Sequence, residues 1–247
     1  MDKTEFFLKK NSAVSDQLAQ KYMLLIERRI KNEPLQYILG QWQFMSYDFK
    51  VGEGVLIPRP ETEMLVEYAL KHFACDGQWV FFDLCSGSGC IGISLAKLFK
   101  NASVYCIEKS EKALDYLQEN VRINGCNNVT AIKGDILNGF SSFYLPKPDC
   151  VLSNPPYIES DVLSHLQTEV CFEPKMALDG GKDGYNFYKV IAKKWLPFLK
   201  IGGRCAVECG ENQAETILRI FSDHSNTIDV LNDFNNIGRV VTLVRQE

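Results

Sequence analysis

Residues 79–89 read Trp-Val-Phe-Phe-Asp-Leu-Cys-Ser-Gly-Ser-Gly, an apolar run that passes through one acid into a glycine-rich turn. The run predicts a buried strand over residues 79–84, and the residues after the turn predict a helix over residues 90–100. Glycines between a strand and a helix let the backbone approach a ligand closely, and the N–H groups of the helix face that ligand. The stretch therefore predicts a βα unit with a ligand at its carboxyl end.

The same alternation continues on both sides of this unit. Further strands are predicted over residues 103–107, 129–132, 149–153, 204–208 and 240–244, and further helices over residues 61–73, 111–124, 185–199 and 213–221. Strands that alternate with helices of this length are typical of right-handed βαβ units. We predict an α/β fold whose parallel sheet is covered on both faces.

The first 55 residues follow a different pattern. Apolar residues recur at three- and four-residue steps over residues 15–31, which predicts a helix with one stripe buried against a neighbour. Aromatic and β-favouring residues over residues 42–51 predict a β-hairpin. The predicted division is a short helical N-terminal region (1–40), a β-hairpin linker (41–55) and a main domain (56–247).

The composition is typical of a soluble globular protein, since 46% of the 247 residues are hydrophobic and 23% are charged. No apolar stretch approaches the roughly 20 residues that span a bilayer, and the first residues lack the apolar core of a signal peptide. We expect a cytoplasmic protein with no membrane partner. The formal net charge of −4 disfavours broad binding to nucleic acid, which needs a basic face, so no direct nucleic-acid partner is expected.

The nine cysteines indicate neither a disulfide framework nor a metal site. Their number is odd, they are spread from Cys75 to Cys209, and none forms a C-x-x-C pair. Cys205 and Cys209 share one face of a predicted strand, which favours burial in a core over metal binding. We expect no bound metal.

A nucleoside pocket is predicted where the first three strands end. Glu108 ends the second strand, where a carboxylate can accept hydrogen bonds from both hydroxyl groups of a ribose. Asp135 follows the third strand and can accept from an adenine amino group, although a carboxylate at a strand end is also commonly a loop residue or a helix cap. The candidate cofactor-binding residues are Asp83, Cys85, Ser86, Gly87, Ser88, Gly89, Glu108, Asp135, Ile136 and Asn154.

Asn154-Pro155-Pro156-Tyr157 follows the short apolar run of residues 150–153. This element suits chemistry at a planar amide nitrogen, which is a poor nucleophile because its lone pair is delocalised into the carbonyl. The Asn154 side-chain oxygen and a backbone carbonyl near Pro155 can both accept from an NH2 group, and Tyr157 can cover its flat face. Asn-Pro pairs also occur in ordinary turns, so the tetrapeptide by itself does not distinguish a turn from a catalytic element. The pocket predicted beside it favours the catalytic element.

Two cofactors fit the glycine-rich turn by itself. The spacing of Gly87, Gly89 and Gly92 permits NAD as well as S-adenosylmethionine. Hydride transfer has no use for the tetrapeptide, whereas methyl transfer to nitrogen has one. We therefore predict S-adenosylmethionine as the cofactor and Asn154, Pro155, Pro156 and Tyr157 as the catalytic element.

Longer motifs resemble the HemK/PrmC family, the peptide chain release factor glutamine methyltransferases, over nearly the whole chain from Pro34 onward. The segments that carry the resemblance include PLQYILG (34–40), IPRPETE (57–63), EPKMALDGGKDG (173–184), residues 202–213 and residues 233–240. The resemblance implies a seven-stranded, Rossmann-like class I methyltransferase sheet and a small helical N-terminal region that docks the substrate.

The resemblance also implies an activity: methyl transfer from S-adenosylmethionine to the side-chain amide nitrogen of the glutamine in the Gly-Gly-Gln motif of class I peptide chain release factors. By the same correspondence, residues 85–89 and Glu108 are cofactor contacts, and residues 154–157 hold the glutamine. Two features depart from the family. Glycine is common where Cys85 stands, and only 33 residues precede Pro34, so part of the usual helical domain is expected to be missing.

Two other functions fit part of the pattern. A nucleic-acid methyltransferase acting on exocyclic amino groups could use the same Asn-Pro-Pro-aromatic element after base flipping. The acidic charge and the missing recognition domain disfavour it. A non-catalytic cofactor-binding module could use the N-terminal region as a partner surface, but intact Asn154 and Tyr157 disfavour that reading.

Overall fold

A computed structural model describes residues 3–225 and 227–246. The helices are α1 (Lys3–Lys9), α2 (Asp16–Ile30), α3 (Leu35–Leu39), α4 (Glu63–His72), α5 (Cys90–Leu98), α6 (Glu111–Asn124), α7 (Lys175–Leu178), α8 (Asn186–Lys194) and α9 (Ala214–Phe221). The strands are β1 (Gln41–Phe44), β2 (Tyr47–Lys50), β3 (Val80–Leu84), β4 (Ser103–Glu108), β5 (Val129–Lys133), β6 (Cys150–Ser153), β7 (Arg204–Glu208), β8 (Thr227–Asn232) and β9 (Gly238–Val244). In these described ranges, no helix combines the length and the apolar character needed to cross a membrane.

Strands β3 to β9 form one sheet of seven strands in the order β5-β4-β3-β6-β7-β9-β8. The predicted seven-stranded α/β fold is confirmed, and β3 to β7 run parallel as expected. The prediction of a wholly parallel sheet is wrong at one edge, because β9 runs antiparallel to both β7 and β8. No strand is predicted over β8 because its residues alternate between exposed and half-buried and form no apolar run. The short link from β8 to β9 leaves no room for a crossover helix, so the two strands pair antiparallel.

The strand order reverses between β3 and β6, and ligands of open α/β sheets bind in the crevice at such a point. The last residues of these strands, Leu84 and Ser153, lie side by side in the sheet. The Ser153 hydroxyl donates a 2.6 Å hydrogen bond to the Leu84 carbonyl oxygen. The glycine-rich turn and the Asn-Pro-Pro-Tyr element therefore leave the sheet next to each other.

Helices cover both faces of the sheet, as predicted. Phe81 and Phe82 are adjacent in β3 and point to opposite faces, and neither is exposed. Phe81 packs in a core that contains Leu65 of α4, and Phe82 packs in a second core around Trp195. The predicted helix over residues 185–199 is shorter than expected, because Pro197 has no N–H group to continue α8 and a 3-10 turn, Leu196–Phe198, follows instead.

The N-terminal elements have the predicted type. Helix α2 begins after Ser15, whose hydroxyl accepts the Leu18 N–H at 3.4 Å, and β1 and β2 form the expected antiparallel hairpin. The expected burial of the α2 stripe is wrong: no residue of α2 is buried, and Tyr22 is 61% exposed. Helix α2 packs against α3, which has five residues and is too short to cover a stripe of fifteen.

Candidate active site

A cavity with about 880 Å³ of empty space, including the part open to solvent, lies at the carboxyl ends of β3 to β6. Eight of the ten predicted cofactor-binding residues line it, namely Cys85, Ser86, Gly87, Ser88, Glu108, Asp135, Ile136 and Asn154. The other two, Asp83 and Gly89, are buried and do not line the cavity.

Glu108 holds the glycine-rich turn in place. Its two carboxylate oxygens accept the Gly87 N–H at 2.8 Å and the Ser110 N–H at 2.7 Å. Burial raises the pKa of Glu108, while these backbone hydrogen bonds oppose the rise. Because each carboxylate oxygen has more than one lone pair, both oxygens can still accept a hydrogen bond from a ligand in the cavity.

Asp83 connects the end of β3 to the helix that follows the glycine-rich turn. The carboxyl group is fully buried, and its Oδ2 accepts the Gly92 N–H at 3.0 Å, which fixes the first turn of α5. Burial raises the pKa of Asp83 to about 7. A Cβ at Gly92 would lie 2.2 Å from the sulfur of Cys106, so the third glycine of the turn is required for packing of the helix on the sheet.

Asp135 caps a short turn and forms an ion pair. One oxygen accepts the Leu137 N–H at 2.9 Å and caps a 3-10 turn, and the other pairs with Lys109 at 2.8 Å. Burial raises the pKa of Asp135, but the Lys109 and Leu137 contacts outweigh it and hold the pKa below its usual value. The carboxylate is therefore ionised at neutral pH and stands in the cavity wall.

Cys85 occupies a backbone conformation that favours glycine, with φ of 60°. Glycine would adopt it freely, so a cysteine at this position places some strain in the turn. Burial, and then the nearby Glu108 and Asp83 carboxyls, raise the pKa of the Cys85 thiol well above its ordinary value. The thiol is therefore neutral, and it adds no charge to the cavity.

Asn154 is held by a chain of hydrogen bonds. The Asn154 Nδ2 donates to the Thr62 hydroxyl at 3.1 Å, and that hydroxyl donates to Glu208 Oε2 at 2.6 Å. Within the described ranges, no hydrogen bond reaches the Asn154 Oδ1 or the carbonyl oxygen of Pro155. Both oxygens remain available as acceptors.

Tyr157 lines a second cavity, with about 810 Å³ of empty space including its open part, that shares Asn154 and Arg59 with the first. The Tyr157 carbonyl oxygen accepts a 2.9 Å hydrogen bond from Gln213 Nε2, and Gln213 Oε1 accepts the Gly210 N–H. Burial, followed by the charge of Glu208, raises the pKa of Tyr157 to about 12. The phenol is therefore protonated at neutral pH.

Two of the motif segments that had no predicted role, residues 57–63 and 173–184, contribute to the walls of this site. Glu173 is nearly fully buried, accepts the Ile57 N–H at 3.0 Å and forms an ion pair with Arg59. Sequence reasoning missed these roles, and the only signal was membership of the quoted motifs. The site residues that only the structure reveals are Arg59, Thr62, Glu173, Glu208 and Gln213.

The described part of the chain contains no group of three or more His, Cys, Asp or Glu residues arranged to hold a metal ion. All nine cysteines are free. Cys205 and Cys209 are buried, as predicted from their shared face.

Comparison with known proteins agrees with this architecture. Residues 61–180 match the methyltransferase small domain, and residues 1–40 match the PrmC N-terminal domain. The release factor glutamine methyltransferase of Thermodesulfovibrio yellowstonii is 40% identical over 252 aligned positions, which cover 100% of this chain and 88% of that protein. Its counterpart from Geobacter sulfurreducens is 42% identical, over 88% of this chain and 75% of that protein.

The fold is similar to that of solved methyltransferases. The crystal structure of a methyltransferase from Pyrococcus furiosus superposes with a TM-score of 0.60 and 17% identity, over 93% of this chain and 99% of that one. At this identity the likeness concerns the fold alone. The curated relatives share a much higher sequence identity with this chain, 40% and 42%. The chain therefore belongs to the release factor glutamine methyltransferase family.

Proposed function

We propose that this protein transfers a methyl group from S-adenosylmethionine to the side-chain amide nitrogen of the glutamine in the Gly-Gly-Gln motif of class I peptide chain release factors. One observation carries the proposal: the Asn154 side chain, with its free Oδ1, stands in the wall that the two cavities share. One cavity can hold the methyl donor and the other the substrate. The names of the curated relatives support the choice of substrate.

The donor groups of the first cavity suit S-adenosylmethionine. Glu108 offers carboxylate oxygens to the ribose hydroxyls, Asp135 can accept from the adenine amino group, and the backbone of residues 85–89 can approach the methionine part. When bound, the cofactor supplies an electrophilic methyl group carried on a sulfonium centre.

The tetrapeptide positions the substrate amide through side-chain and backbone groups. The Asn154 Oδ1 and the Pro155 carbonyl oxygen each accept one N–H of the glutamine NH2 group, so the amide is held by its edge. The Tyr157 ring covers one face of the amide and excludes water. No side-chain base is needed, because the nitrogen becomes acidic only as it gains the methyl group and can then release its proton to an adjacent acceptor oxygen or to water.

The second cavity suits the backbone of the loop that carries the glutamine. Its wall is mostly apolar, with Leu56, Leu166 and Val170 around the charged Arg59. Residues 1–40 dock the body of the release factor. Arg29 of α2 donates a 3.1 Å hydrogen bond to Glu169, which joins that region to the segment that lines the second cavity.

Mass spectrometry tests the proposal. The purified protein is incubated with S-adenosylmethionine and a class I release factor, and a gain of one methyl group on the Gly-Gly-Gln glutamine is expected. A release factor with that glutamine replaced by glutamate is the control. Transfer of labelled methyl to nucleic acid, with the release factor unmodified, would overturn the proposal in favour of an exocyclic amino N-methyltransferase.

A further inference from the structure

We infer that Thr62 and Glu208 are positioning residues that set which end of the Asn154 amide faces the shared wall of the two cavities. The inference rests on the proposed function for the role of Asn154. The three residues come from distant parts of the chain: Thr62 from the turn before α4, Asn154 from the end of β6 and Glu208 from the end of β7.

The two hydrogen bonds of this group have a fixed direction when Glu208 is ionised. A carboxylate can only accept, so the single hydroxyl proton of Thr62 is donated to Glu208 Oε2 at 2.6 Å. The Thr62 oxygen is then left only as an acceptor. It must receive the Asn154 NH2 group, which it does at 3.1 Å, and the Asn154 oxygen is turned away from Thr62.

The direction matters because the two ends of an asparagine amide have nearly the same shape. Turned over, Asn154 would present its NH2 group to the NH2 group of a substrate amide, and two donors would face each other. Thr62 is 2% exposed and Glu208 is 3% exposed, so water has little access to compete for these hydrogen bonds. This relay of hydrogen bonds, from Glu208 through Thr62 to Asn154, therefore determines whether the site accepts an amide nitrogen.

The relay also gives the site a dependence on pH. Burial raises the pKa of Glu208 to about 7. Once the carboxyl group is protonated, it can itself donate to Thr62, and Thr62 is no longer compelled to accept from Asn154. The charged and titratable groups that face Glu208 are Arg59, Glu61, Cys90, Tyr157, Tyr188, Cys209 and Arg239.

Turnover tests the relay with a matched pair of variants. Thr62→Val keeps the shape but removes the hydroxyl, and we expect kcat to fall by about tenfold, the effect of one lost hydrogen bond near 1.4 kcal/mol. Thr62→Ser keeps the hydroxyl and should rescue most of this loss. Thr62 also lines the first cavity, but the affinity for S-adenosylmethionine should change less than kcat in both variants, because Glu108 and the glycine-rich turn remain. Equal kcat values in the two variants would overturn the inference.

The pH profile gives a second measurement. In the wild-type protein, kcat should fall on the acid side with an apparent pKa near 7, because the ionised form of Glu208 fixes the relay. The glutamine of Glu208→Gln does not titrate in this pH range, so the variant should lack this acid limb. An acid limb that persists unchanged in Glu208→Gln would contradict the inference.

A third measurement needs neither substrate nor cofactor, so it separates the relay from the proposed function. The side-chain NH2 resonances of Asn154 are followed by NMR in protein labelled with ¹⁵N-asparagine and are assigned by their loss in Asn154→Ala. We expect them to shift with pH near 7 in the wild-type protein and not in Glu208→Gln. A relay seen by NMR without glutamine methylation would reject the proposed function alone, and methylation with resonances that ignore pH would reject the relay alone.

Discussion

The backbone of Gly184 lies against the carbonyl group of Tyr157: a Cβ added at Gly184 would stand 2.6 Å from that oxygen. The same Cβ would lie 2.8 Å from Gln213 Nε2, the donor that binds this carbonyl. Gly180 is similar, because a Cβ there would lie 2.7 Å from the Tyr157 Cα. The glycines of the segment 173–184 therefore allow it to close onto the tetrapeptide.

Gly184→Ala should displace Tyr157 and lower kcat. Its control is Gly202→Ala, because both glycines have nearly the same left-handed backbone, φ +74° and +75°, but a Cβ at Gly202 meets nothing within 4 Å. We expect both variants to lose about 1–2 kcal/mol of stability from the left-handed conformation. Only Gly184→Ala should also lose about tenfold in kcat, roughly 1.4 kcal/mol of transition-state stabilisation. Equal methyl-transfer rates in the two variants would show that contact with Tyr157 is unimportant.

Asn154→Ala should remove the acceptor that orients the substrate amide. By comparison with the loss of one oxyanion-hole donor, we expect kcat to fall by about 10²–10³, or roughly 2.7–4 kcal/mol. Cofactor affinity, measured by calorimetry, should change far less than kcat, because Glu108 and the glycine-rich turn remain. Single-turnover methyl transfer at the wild-type rate, with cofactor bound, would refute the role of Asn154.

Glu108→Gln should weaken cofactor binding. One end of the glutamine amide is a donor, which would face either the Gly87 N–H or the Ser110 N–H that Glu108 now accepts. The amide also offers the ribose hydroxyls one acceptor oxygen fewer and no charge. A hydrogen bond to a charged group contributes about 1.5–3 kcal/mol, so we expect Kd for S-adenosylmethionine to rise by roughly tenfold to a hundredfold. Glu111→Gln is the control, since the Glu111 side chain is 77% exposed and pairs with Lys133 at the surface. A similar Kd in both variants would contradict this role.

The sequence predicts the parts of this site that depend on local order. Strand β3 with its turn, and β6 with the tetrapeptide, are each contained in one short apolar run and the residues after it. The relay from Glu208 to Asn154 is different, because Thr62 and Glu208 are 146 residues apart and meet only once the order of strands is known. The edge strand β8 escapes prediction because it has one half-buried face and no apolar run. The exposure of α2 depends on the size of its neighbours, which helical spacing cannot reveal.

Glu208→Gln should gain stability relative to the wild-type protein as the pH rises, although its relay is impaired. Burial raises the pKa of the folded Glu208 to about 7, from an ordinary glutamate value of 4.5. Between these values the folded state holds a proton that the unfolded state has released, so the wild-type free energy of unfolding falls as pH rises through this window. Glutamine has no such proton. The difference in unfolding free energy should therefore move in favour of the variant by roughly 2–3 kcal/mol between pH 4.5 and pH 8.

Asp83 also has a raised pKa, but it is present in both proteins and cancels in the difference. Urea unfolding at a series of pH values measures this difference, and a difference independent of pH would mean that Glu208 titrates alike in both states.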